Sequence, residues 1–230
     1  MRSTMLYSVW RMLPDQHAPA KAAAVEGIAS AGKSADARRT RIILVRHGRP
    51  ALPIAPRTCH RGFRDYIDAY EDAGLDPSDA PPEELQNLIL ELDAVFTSEK
   101  PRAHESAKAL APAAELIIDP LFAEAPLAGP RIPLLRMRVA KWAVVARILW
   151  YAGYHPNIEN YRKAKRRASE AVDILLDRAK TDRVVALVAH GYFNFLIGRE
   201  LNRRRFRKSG THRARFWNAV LYEKRVPNAG

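Results

Sequence analysis

Two apolar runs in this chain stop at the same pair of residues. Arg41-Ile42-Ile43-Leu44-Val45-Arg46 leads into His47-Gly48, and Arg183 with Val184 to Ala189 leads into His190-Gly191. An imidazole titrates near neutrality and can act as nucleophile, base or hydrogen-bond donor, and a glycine after it lets the backbone turn and approach a ligand closely. One His-Gly pair carries no weight, because a histidine at a strand end is more often structural than catalytic. Two of them carry more, since the carboxyl ends of parallel strands line one edge of an open sheet, where ligands bind. A third piece is Thr97-Ser98-Glu99-Lys100-Pro101-Arg102-Ala103, where a strand gives way to a helix and Arg102 falls in the first turn. A guanidinium there can grip the oxygens of a phosphate with a bidentate fork. The helix that begins after Gly191 is expected to aim its N-terminal amides at the same anion.

The elements that must hold these residues follow from the hydrophobic pattern. Ile42 to Val45 is a continuous apolar run suited to a strand covered on both faces. Residues 61–73 and 83–92 read as helices, the second opened by Pro81-Pro82 and Glu83-Glu84. Ala94 to Phe96 and Leu116 to Ile118 read as short strands on either side of a helix that starts at Pro101 and is stopped by Pro112. Beyond a Pro-rich loop at 125–133, helices over 137–151 and 159–179 precede the strand Val184 to Ala189, a helix over 192–201 and a last strand from Asn218 to Glu223. Strands alternating with helices predict an α/β fold, a three-layer α/β/α sandwich with a largely parallel central sheet. Residues 1–40 are rich in Ala and charge and lack a sustained apolar period, so they are expected to form a disordered extension to a single domain at 41–230.

Composition sets the outer bounds. Among 230 residues, 47% hydrophobic and 27% charged, there is ample apolar material for a core. The lone Cys59 excludes an intramolecular disulfide framework and a thiolate metal cage. No stretch supplies the roughly 20 uninterrupted apolar residues of a membrane span, and the N-terminus does not read as a secretory signal, so a cytoplasmic location is expected. Residues 134–154 form a cationic amphipathic pattern that reads first as a helix packed on its own domain and second as a peripheral membrane contact. The net charge of +13 is lopsided. Residues 41–130 carry 9 basic and 15 acidic side chains, and residues 131–230 carry 23 and 7, with clusters at Arg162 to Arg167 and Arg203 to Lys208. Such a surplus draws anions, whether nucleic acid, acidic lipid or a phosphorylated substrate.

Leu44-Val45-Arg46-His47-Gly48, Ser98 through Arg102-Ala103 to Glu105-Ser106-Ala107, and Ala189-His190-Gly191 stand in an order and spacing that resemble the histidine phosphatase superfamily, which includes the cofactor-dependent phosphoglycerate mutases. The resemblance runs from Arg41 to about Glu223 and is nearest the compact phosphatase branch. It implies a phosphoglycerate mutase-like fold and a metal-independent phosphomonoesterase that needs no cofactor. It also implies roles: His47 as the nucleophile that becomes phosphohistidine, Arg46, Gly48, Arg102 and His190 around the phosphoryl oxygens, and Glu124 as general acid. An enclosed anionic substrate is expected to raise the pKa of that carboxyl. The chain departs from the family where Arg49-Pro50 replaces the common Glu-Thr and where no Asn appears before residue 87. It departs again after Glu124, where Pro126 and Gly129 stand in place of a glycine and tryptophan. Arg57 and Arg61 are then candidates for additional substrate contacts.

Three functions compete at this level. The first is hydrolysis of a small phosphorylated metabolite or phosphoprotein, with nucleic acid not expected as a partner. The second is a mutase, which transfers the phosphoryl group instead of releasing it. The third is a phosphatase-like module that binds polyanions through its basic C-terminal half. Retention of His47, Arg102 and His190 together favours the enzyme, because a binding module has no use for all three.

Overall fold

The computed structural model describes residues 39–53 and 57–225. The expectation of a disordered extension falls almost wholly outside them; within them, the first strand begins at Arg39. Six strands, β1 (Arg39–Arg46), β2 (Ala94–Thr97), β3 (Glu115–Ile118), β4 (Val184–Ala189), β5 (Arg207–Ser209) and β6 (Ala219–Arg225), form one sheet in the order β3-β2-β4-β1-β6-β5. The β3-β2, β2-β4 and β4-β1 pairs are parallel, and β6 runs antiparallel to β1 and β5. The helices are α1 (His60–Asp72), α2 (Glu83–Ile89), α3 (Pro101–Leu110), α4 (Val139–Tyr151), α5 (Tyr161–Asp182) and α6 (Gly191–Arg203). Each predicted element is present, with ends that coincide or differ by at most three residues. The pattern missed β5, because three polar residues on a sheet edge carry no hydrophobic alternation.

The central strands are buried on both faces, as their unbroken apolar runs require. Ile42, Leu44, Val185 and Leu187 face a core with α5 and α6, whereas Ile43, Val45, Ala186 and Val188 face a second core with α2 and α3. The period of two in each strand thus divides one apolar run between two layers. A third, separate cluster of Phe63, Val139, Trp142 and Ala146 joins α1 to α4. These two helices form a cap with its own small core, tied at its base by the Thr58–Met137 bridge. Trp142 is fully buried there and donates its indole N–H to the Thr58 carbonyl at 2.9 Å. The amphipathic 134–154 segment is therefore a helix packed on its own domain. Among the described residues no helix is long and apolar enough to cross a membrane.

Part of the C-terminal basic surplus is paired locally. Arg203 and Arg204 both bind Glu200, Arg204 also binds Asp173, and Arg167 binds Glu159 at 2.7 Å. Only Arg203 belongs to α6 itself; Arg204 ends the helix and Arg205 turns the chain with φ of 66° toward β5.

Candidate active site

Parallel pairing in the register Arg46↔Ala189 brings the residues after β1 and β4 side by side, and the His47 amide donates to the Ala189 carbonyl at 2.9 Å. The two imidazoles meet with ring centroids 5.3 Å apart. His47 Nδ1 lies 2.6 Å from the Gly48 carbonyl oxygen, which can only accept. Nδ1 therefore carries the proton of the neutral ring, and Nε2 keeps its lone pair. Burial, then the charges of Arg102 and Arg46, hold the His47 pKa well below the usual imidazole range. His190 is lowered in the same way, by burial first and then by Arg102, His47 and Arg46.

Arg46 and Arg102 reach the same point from the end of β1 and the first turn of α3. Each is stacked on an aromatic ring, Arg46 over Phe216 at 4.7 Å and Arg102 over Tyr70 at 4.6 Å. Arg102 is fully buried, with one terminal nitrogen donating to the carbonyls of Tyr70 at 2.6 Å and Glu71 at 3.2 Å. Arg46 donates to the carbonyl of Ala214. Yet the Nε atoms of both arginines and both ring nitrogens of His190 are buried without a hydrogen-bond partner. Burying such groups without a partner is costly. Four of them beside one imidazole make a cradle suited to a phosphoryl group's oxygens.

Several supports were less visible in sequence. Gly48 N–H donates to Ser106 Oγ at 2.9 Å, and Ser106 Oγ donates to the Arg102 carbonyl at 2.5 Å, which couples the end of β1 to the start of α3. The expected phosphate contact by the Gly48 amide is therefore replaced by one to Ser106. Glycine is required there for another reason: a Cβ would lie 2.7 Å from Cε2 of Trp217, a buried ring whose own backbone has φ of 58° and donates its N–H to the His47 carbonyl. Asn194, on the buried face of α6, donates to the Val45 carbonyl at 2.9 Å and locks that helix to β1.

Glu124 does lie at the site, but in an unexpected posture. Its Oε1 accepts from the amides of Ala125 at 2.9 Å and Phe193 at 2.8 Å, and its Oε2 from that of Tyr192 at 3.2 Å. The acceptor for the amides at the start of α6 is thus the protein's own Glu124 carboxyl group, where a ligand was expected. Two arginines clamp the loop that carries it. Arg167 donates to the carbonyls of Leu121 and Ala123 at 2.8 and 2.7 Å, and Arg147 to those of Ala125 and Pro126 at 2.9 and 3.3 Å. Each clamp lies on a ring of α6, Arg167 over Phe193 at 3.9 Å and Arg147 over Tyr192 at 4.0 Å. Neither was singled out from sequence, because the carbonyls they hold lie more than twenty residues away and leave no motif.

A cavity of about 190 Å³ opens between the sheet edge and the cap, lined by Arg46, Arg102, Glu124, the α1–α4 faces and Phe216. Arg57 and Arg61 do not line it. Arg57 is exposed and donates to the Arg136 carbonyl at 3.2 Å, and Arg61 is exposed on α1, whose cavity side is Phe63, Tyr66, Ile67 and Tyr70. Helical periodicity puts a residue two before Phe63 on the other side of the helix. Among the described residues no group of three or more His, Cys, Asp or Glu could hold a metal ion.

Residues 42–211 match the histidine phosphatase superfamily (branch 1). The chain belongs to that superfamily. No curated protein matches it. Among solved structures, it shares 18% identity and a TM-score of 0.50 with one described as mycobacterial hydrolase 2, over 84% of this chain and 85% of that one. Mycobacterial glucosyl-3-phosphoglycerate phosphatase is 19% identical with a TM-score of 0.48, over 71% and 80% of the two chains. Phosphoserine phosphatase of Entamoeba histolytica, solved with 3-phosphoglyceric acid, is 18% identical with a TM-score of 0.46, over 71% and 80%. At these identities the likeness is one of fold.

Proposed function

We propose that this protein is a metal-independent phosphatase that hydrolyses a phosphate monoester through a phosphohistidine on His47. The observation that carries the reading is the set of four buried, unpartnered nitrogens of Arg46, Arg102 and His190 beside a histidine whose Nδ1 is tied to a carbonyl. The Nε2 lone pair of His47 attacks phosphorus as the P–O bond to the alcohol breaks. Arg46, Arg102 and His190 meet the equatorial oxygens, where charge collects in the transition state. An entering dianion opposes the effect of the two guanidinium charges on His190, so that ring takes up a proton with the substrate. Glu124 delivers a proton to the leaving alkoxide from Oε2, the oxygen with a single long bond, and takes one back from the water that then cleaves the P–N bond. Phosphate leaves and His47 returns to its neutral form.

Purified protein is expected to release phosphate from p-nitrophenyl phosphate in the presence of EDTA, with acid-labile phosphate trapped on His47. His47→Ala should lose at least about 10³-fold in kcat. A variant that turns over at the unaltered rate removes the mechanism.

A further inference from the structure

The cavity next to the cradle is unlike the cradle itself. From α1 come Phe63 and Ile67, from α4 Val139, Ala143 and Val144, and from the intervening loop Leu127. Polar side chains also line it, Tyr66 and Tyr70 of α1 among them, and the protein engages most of the charged ones. Glu71 is held by Lys100 at 2.8 Å and by Arg102 at 3.4 Å. The Tyr192 hydroxyl is bonded to that of Tyr151, His212 Nε2 to the Tyr222 hydroxyl at 2.9 Å, and Arg147 to two backbone carbonyls. Burial lowers the His212 pKa to about 3, which leaves that ring neutral. Arg213 is the exposed exception on the rim.

A site that reads a sugar or glycerate must offer unengaged donors and acceptors to each hydroxyl or carboxylate, since unmatched polar groups bind poorly in an apolar enclosure. This wall offers few. Its size suits one apolar group. A cavity of about 150 Å³ lined by aliphatic and aromatic side chains holds a benzene molecule, so about 190 Å³ takes one ring or a short hydrocarbon chain beside the phosphoryl group.

We infer that the substrate is a small phosphate monoester of an apolar, phenyl-sized alcohol or phenol, with Arg46 and Arg102 taking the phosphoryl group and the α1–α4 wall taking the hydrocarbon. This rests on the phosphatase reading and narrows it. The small side chains on α4 set the limit: Ala140, Ala143 and Val144 leave the space that the ring fills.

The test uses non-hydrolysable phosphonates as probes of binding to the full chain, read by competition against p-nitrophenyl phosphate and by calorimetry. Methyl-, propyl- and butylphosphonate should gain about fourfold in affinity per methylene. Benzylphosphonate should exceed 2,3-dihydroxypropylphosphonate by roughly 10- to 150-fold, the range for burying an aromatic side chain's worth of surface. Ala143→Phe, which fills the wall, should shrink the benzyl-to-methyl ratio at least about tenfold. The wild-type series decides the question even where that variant does not fold. A dihydroxypropyl probe that binds as well as butyl, with turnover of p-nitrophenyl phosphate intact, overturns the apolar substrate and leaves the phosphatase standing. Failure of every phosphonate and of vanadate to bind overturns both.

Discussion

The cradle at the sheet edge and the wall under the cap treat buried polar groups in opposite ways. At the edge, Arg46, Arg102 and His190 keep nitrogens buried without partners, the two arginines held in place by stacking and by bonds made through their other nitrogens. Under the cap, Glu71, Arg147, Tyr192 and His212 are satisfied within the protein. Both regions carry charge, and composition does not separate them. What separates them is whether the hydrogen-bonding capacity is consumed. An unpartnered buried donor costs stability and persists where a ligand will use it; a satisfied one is part of the scaffold.

The largest effect that tests this contrast comes from Arg102. Arg102→Ala removes a fully buried donor from the cradle and should cost about 10²–10³ in kcat/KM, the scale for deleting a transition-state donor. Arg102→Lys should recover little, because an ammonium has no fork to hold the Tyr70 carbonyl and a phosphoryl oxygen together. Near-complete rescue by lysine would mean that charge alone matters and that the unpartnered Nε is incidental.

The same contrast explains what could be read in advance. Each cradle residue sits at the end of an apolar strand, directly after one, or in the first turn of a helix, so local patterns singled out His47, His190 and Arg102, and the family resemblance added Arg46. The wall has no such pattern. Phe63 and Ala143 are eighty positions apart, and only the packing of α1 on α4 makes them neighbours. Arg57 and Arg61, put forward on charge alone, lie off the cavity, Arg57 in the segment before α1 and Arg61 on the far face of that helix. The anion site expected at α6 failed because Glu124 lies in a loop more than sixty residues upstream, and no spacing rule connects it to Tyr192 and Phe193.

A smaller effect concerns pH. His47, His190 and His212 are each held below the ordinary imidazole value by burial, in the last case to about 3. With folded pKa values below the unfolded one near 6.5, the unfolded chain binds more protons in the interval between them. Stability is therefore full above about pH 6.5 and is lost as pH falls from there toward the folded values. At pH 5 His212 should cost about 2 kcal/mol. His212, outside the cradle, isolates one share: His212→Phe should flatten the pH 7.5 to pH 5 difference in urea stability by about that amount. The three should diverge once ligand is present. Saturating vanadate should recover stability at pH 5 in wild type by letting His190 protonate against the anion, and should not alter the His212 share.

The smallest effect tests whether the Glu124 loop is positioned or merely packed. Arg167→Lys keeps a cation but cannot hold Glu159 with Nε and Nη2 while a third nitrogen, Nη1, holds the Leu121 and Ala123 carbonyls. A slightly displaced carboxyl donates its proton less well, so kcat on an alkyl phosphate should fall about tenfold, a part of the ~10²–10⁴ that general acid catalysis supplies. Turnover of p-nitrophenyl phosphate should hardly change, because its leaving phenolate is stable without a proton. KM should stay near its original value for both, since the cradle is untouched. A loss shared equally by the two esters would show instead that Arg167 supports the α5–α6 core as a whole, and the clamp would then belong with the satisfied polar groups of the wall.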